Sequence, residues 1–147
     1  MLTEAQEQSY RNKIPCLQEG YWEFSGSDCY QDILAYHYLD LEPLDKIIIS
    51  LEDSRYASLR IDWVLLVIKL PTAIQYQLRA GSRYSHFKPQ IAVLGRDERT
   101  DNRTTFSELK ARVIPAATKL IRQYGAGWLE DQARHLSKLE GIRKSGY

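Results

Sequence analysis

The chain has 147 residues, 44% of them hydrophobic and 27% charged, with a formal net charge of +1. That length suits one domain with a core that needs no disulfide or metal staple, and the composition is that of a folded globule, not a disordered chain. No apolar run approaches the roughly 20 residues that span a bilayer. The first thirteen residues are polar and acidic, which argues against a secretion signal. The expectation is one globular domain over 1–147, frayed at 1–12 and 141–147, in the cytoplasm and without a membrane partner.

Residues 3–12 read as a short polar helix and residues 20–27 as an extended piece ending in a turn. Ser27 or Asp28 then caps a helix to about Leu39, with Cys29, Ile33 and Tyr36 on one side. Residues 44–51 hold Ile47, Ile48 and Ile49, a β-branched run that favours a strand. Leu59, Ile61 and Trp63 alternate with Arg60 and Asp62 before the run becomes wholly apolar to Ile68. After Pro71 the alternation is cleaner: Ile74, Tyr76 and Leu78 on one face, Gln75, Gln77 and Arg79 on the other. A loop over 81–86 and a strand over 90–94 complete an antiparallel meander with one wet face.

A charged loop over 95–104 leads to Thr105-Phe106-Ser107-Glu108, a capping box in which hydroxyl and carboxylate satisfy each other's backbone amides. Phe106, Leu109, Val113, Ala116, Ala117, Leu120 and Tyr124 follow at helical spacing, up to the glycines at 125 and 127. Pro115 falls on the opposite side and removes one hydrogen bond, so a kink is expected. A last helix over 128–140 turns Leu129, Ala133, Leu136 and Leu139 inward. The fold class is therefore α+β: a small antiparallel sheet over roughly 45–95, flanked by an N-terminal helix and a C-terminal helical hairpin. The competing reading makes 54–80 helical and the protein all-α.

The two cysteines, Cys16 and Cys29, lack the two-to-four-residue spacing of a zinc half-site, and His37 as a third ligand has no fourth. They read as reduced thiols, with no metal and no cofactor implied. The small net charge conceals a split, because residues 1–53 carry −8 and residues 54–147 carry +9. Such a split suits either a basic surface for an anionic partner or halves that neutralise one another, within a chain or between chains.

Arg112, Lys119 and Arg122 share the helix face opposite the apolar stripe, where three cations can position a phosphate backbone. Arg134 and Lys138 extend that surface if the last two helices pack as a hairpin. Against this stand Glu108 on the same face and the Glu130–Arg134 pair, which belong to an ordinary solvated surface. Ten tyrosines are present, and Tyr30, Tyr36 and Tyr38 cluster around His37. Tyrosine offers large contact area at low entropic cost, and it also simply fills core margins.

Enzyme constellations are sparse. Asp97 with Glu108 and Lys110 has the letters of a metal-dependent nuclease core, yet the capping box places the last two in a helix's first turn, pointing apart. Asp32 and Cys29 are poorly spaced from His37, His86 stands alone, and His135 pairs with Asp131. No catalytic residue is assigned. The reading is a non-enzymatic binding or accessory protein whose basic half contacts nucleic acid or an acidic protein surface. The alternative is a protein-interaction or self-assembly module, a homo-oligomer included, built on tyrosines. A small enzyme comes third.

Overall fold

The computed structural model describes residues 2–25, 32–41, 61–82 and 89–123. Helix α1 (Glu4–Lys13) begins at a complete capping box. The Thr3 hydroxyl accepts from the Gln6 amide at 3.2 Å, and the Gln6 side chain accepts from the Thr3 amide at 2.9 Å. This is the short polar helix expected over residues 3–12. A 3₁₀ turn, Pro15–Gln18, follows and buries Cys16 and Leu17.

Among the described residues five strands come next: β1 (Glu23–Phe24), β2 (Ile33–Leu39), β3 (Ile61–Lys69), β4 (Ala73–Ser82) and β5 (Gln90–Glu98). They form one antiparallel sheet in the order β1-β2-β3-β4-β5, so each strand lies beside its neighbours in sequence. The β3–β4 turn is tight, with the Leu70 amide donating to the Ala73 carbonyl at 2.9 Å across Pro71 and Thr72. Helix α2 runs through residues 106–123.

Mixed α+β architecture is as expected, and the all-α alternative is overturned: 61–69 and 73–82 are strands. Two boundaries are corrected. The helix expected up to Leu39 is a strand over Ile33–Leu39, because these β-branched and aromatic residues pair with β1 on one side and β3 on the other. A central strand satisfies its backbone on both edges, which outweighs a local cap signal. The sheet therefore begins at Glu23 instead of near 45. It also ends later, since β5 absorbs residues 95–98 of the expected loop. The strand expected over 44–51 and the helix over 128–140 lie outside the described residues.

One hydrophobic cluster joins these elements. Trp63, Leu65 and Val67 of β3 and Ile74, Tyr76 and Leu78 of β4 meet Phe106, Leu109, Val113, Ala117, Leu120 and Ile121 of α2. Burying each large side chain contributes about 1.5–3 kcal/mol. Ile121, fully buried, was not in the expected stripe. Pro115 lies exposed on the outer side of α2, and the helix continues through it. Exposure lets water serve the Ala111 carbonyl that the proline cannot.

Candidate interaction surface

The opposite face of the sheet carries the candidate site, and register alone assembles it. Residues directly opposite on neighbouring strands share a face. One row reads Tyr38, Val64, Arg79, Ile91 across β2, β3, β4 and β5; the next reads Tyr36, Leu66, Gln77, Val93. Tyr38 is 69% exposed, Ile91 54% and Val93 59%. Beneath them Leu66 and Ile68 are buried, although neither belongs to the main core cluster.

The tyrosines are held in place. The Tyr36 hydroxyl donates to the Glu23 carboxylate at 2.7 Å across the β1–β2 pair, and this bond raises its pKa above the ordinary phenol value. Tyr36 and Tyr38 stack edge to face, with ring centroids 5.7 Å apart. Such pairs fix ring orientation. Tyr30, the third expected member, lies outside the described residues. Sequence reasoning missed Ile91 and Val93; the available signal was that β5 alternates apolar with apolar, Ile91 and Val93 against Ala92 and Leu94.

On the basic face of α2, Arg112 is partly exposed and at the same time engaged within the fold. Its guanidinium donates to the Leu94 carbonyl at 3.1 Å and lies 3.5 Å from the Glu108 carboxylate. It reaches Leu94 where β5 carries a bulge, between the Tyr76–Gly95 and Gln77–Val93 pairs. A Cβ on Gly95 would stand 2.6 Å from the Arg112 guanidinium, so the glycine makes room for the clasp. Lys119 and Arg122 remain exposed on the helix. Arg134 and Lys138 lie outside the described residues.

Glu108, turned toward Arg112, gives only half of the expected capping box: Thr105 still accepts from the Glu108 amide at 3.2 Å. Lys110 sits over the Phe106 ring, 4.9 Å from its centroid. Asp97 is a structural hub. One of its oxygens accepts from the Tyr76 hydroxyl at 2.9 Å and from the Arg103 and Thr104 amides at 3.1 and 2.9 Å. Burial raises the Asp97 pKa, but bonds from Thr104, Tyr76 and Arg103 outweigh it and leave the carboxyl below its ordinary value. Of these three residues, Asp97 ties β5 to the segment leading into α2, and Glu108 and Lys110 are engaged within the helix itself.

His37 is packed among Trp22, Phe106 and Tyr21, and its Nδ1 lies 2.7 Å from the Tyr38 carbonyl. Gly20, at φ +83°, closes over it; a Cβ there would meet His37 Nε2 at 2.8 Å. Cys16 is a free, fully buried thiol, and burial pushes its pKa up to about 12, with the Asp97 charge adding to the rise. Among the described residues no group of three His, Cys, Asp or Glu side chains is placed to hold a metal ion. Nor is any helix among them long and apolar enough to cross a membrane. No known protein family, curated protein or solved structure matches the chain.

Proposed function

We propose that this protein is a non-enzymatic interaction module that self-associates through the outer face of its sheet and the β5 edge. The observation that carries the reading is the pair of cross-strand rows, in which Tyr38, Ile91 and Val93 stay more than half exposed above an apolar layer. Exposed apolar patches mark association sites, with tyrosine and arginine enriched in them, and Arg79 lies within this one. A second copy is the occupant because β5 ends the sheet among the described residues, and an antiparallel edge is self-complementary about a two-fold axis. The opposite charges of the two chain halves point the same way, since copies that meet can neutralise each other.

Sedimentation equilibrium over a range of protein concentrations tests this. The parent chain should associate, and the double variant Ile91→Lys/Val93→Lys should be monomeric with an unchanged circular dichroism spectrum. A parent that stays monomeric at the highest concentration defeats the self-association reading. The same samples, titrated into duplex and single-stranded probes at two salt concentrations, report on nucleic acid. Salt-sensitive binding abolished by Lys119→Glu/Arg122→Glu would move the function to α2.

A further inference from the structure

The edge strand β5 divides into a guarded half and an unguarded half. Residues 95–98 read Gly-Arg-Asp-Glu and follow a bulge, and charges and bulges are what keep an edge strand from pairing with another chain. Residues 90–93 read Gln-Ile-Ala-Val. They carry no charge and hold two β-branched side chains, Ile91 and Val93, each more than half exposed.

The register limits how far a partner strand can run. Before the bulge Ile91 and Val93 stand opposite Arg79 and Gln77 on the outer face; beyond it Asp97 stands opposite Ile74, which is buried in the core. Odd-numbered residues thus change faces at Leu94, and a straight partner strand would fall out of phase with one half or the other. The Leu94 carbonyl is also engaged already, accepting from Arg112 at 3.1 Å. The regular stretch therefore runs from residue 90 to residue 94, and its midpoint is Ala92.

We propose, building on the self-association above, that two copies join β5 to β5 antiparallel about a two-fold axis at Ala92 and so form one continuous sheet. Ile91 of each copy then lies opposite Val93 of the other on the outer face, and the exposed apolar side chains cover one another twice. The row Tyr38, Val64, Arg79, Ile91 of one copy continues into Val93, Gln77, Leu66 and Tyr36 of the other. Neighbouring registers fit less well. A two-fold at Ile91 sets Val93 beyond the start of the other copy's strand, which begins at Gln90. A two-fold at Val93 sets Ile91 opposite Gly95, across the bulge.

Disulfide trapping separates these registers. Ile91→Cys and Val93→Cys are made singly in a Cys29→Ser background, with Cys16 retained as a fully buried thiol. Opposite residues of an antiparallel pair have Cα atoms about 4.5–5.5 Å apart, within disulfide reach. Ile91 and Ile91 of the other copy would lie about 8 Å apart, beyond the limit of roughly 7 Å. Mild oxidation of the mixed proteins should give the heterodimer, identified by its intact mass, at about ten times the cross-linked yield of either protein alone. In the unmodified chain, amide exchange within 90–93 should slow as concentration rises, and that within 95–98 should not. Either variant cross-linking to itself as readily as in the mixture, or equal slowing in both halves, would overturn the two-fold at Ala92 and leave self-association standing. A parent that sediments as a dimer while no sample cross-links would also overturn it, placing the contact away from β5. A parent monomeric at every concentration removes self-association itself.

Discussion

The two faces of the β3–β4 hairpin show how one pair of strands is put to two uses. On the inner face Trp63, Leu65, Val67, Ile74, Tyr76 and Leu78 are all nearly or wholly buried against α2. On the outer face β4 contributes Gln75, Gln77 and Arg79, whereas β3 contributes Val64, Leu66 and Ile68. β4 is thus amphipathic, but β3 is apolar on both sides. A strand of the second kind belongs in a sheet covered on both faces. The contrast explains why exposed apolar side chains gather on the outer face, at Tyr38 of β2 and at Ile91 and Val93 of β5.

The largest effects should come from the inner face. Leu78→Ala removes a fully buried side chain and should cost about 2–5 kcal/mol in urea unfolding. Val93→Ala on the outer face should stay within about 0.5 kcal/mol for the monomer while weakening association. Similar losses at the two positions would erase the distinction between the faces.

Next in size is the polar edge of the inner face. Tyr76→Phe deletes the hydroxyl that donates to Asp97 and should cost about 1–2 kcal/mol near neutral pH. The pH dependence follows from the direction of the Asp97 shift. Its folded pKa is depressed, so its contribution is fully present above the unfolded value of about 3.9 and disappears as pH falls through the folded value. Urea midpoints measured from neutral to acid pH should therefore fall less steeply in Tyr76→Phe, which has one donor fewer to the carboxylate. Identical slopes would show that Asp97 does not draw its stabilisation from Tyr76.

A smaller effect tests the clasp between α2 and the β5 bulge. Gly95→Ala should cost about 1 kcal/mol with Arg112 present and much less in an Arg112→Ala background, because the two changes share one contact. Additive losses would mean that the guanidinium moves aside freely. The smallest expected signal is chemical. Native Cys16 should resist a thiol reagent at neutral pH and react once the chain unfolds, since burial both hides it and disfavours the thiolate. Rapid labelling of Cys16 in the native state would show that the 3₁₀ turn opens readily.

Where local physics was sufficient, the residues were legible. Ile74, Tyr76 and Leu78 alternate with polar neighbours and lie on the buried face as their period requires. The α2 stripe was visible except for Ile121. One legible signal went unread: Thr3-Glu4-Ala5-Gln6 spells the capping box that starts α1, and it forms completely, whereas the box identified at Thr105 forms only by half. The difference is a competitor. Glu108 has Arg112 one turn away, and Gln6 carries no charge to divert it.

Of the candidate site, Tyr36 and Tyr38 were found by composition, but for a different reason from the one that unites them. Read as members of a helix, residues 36 and 38 do not share a side; on β2 they stand on the same face and stack. Their neighbours Val64, Arg79 and Ile91 are distant in sequence, and only the pairing register joins them. Arg112 shows the same limit from the opposite direction. Its place on the helix was correct, yet the acceptor it reaches is a carbonyl exposed by a bulge in another element.

The sequence by itself determined the period of β4, the apolar stripe of α2 and the start of both helices. These depend on side chains within one turn or one strand, where spacing sets the contact. Tertiary structure alone decided that 33–39 pairs as a central strand, that Asp97 joins β5 to α2, and that Tyr38 and Ile91 share a row. Each of those outcomes depends on donors, acceptors or apolar surface supplied from another strand or helix, and no local pattern encodes which partner will arrive.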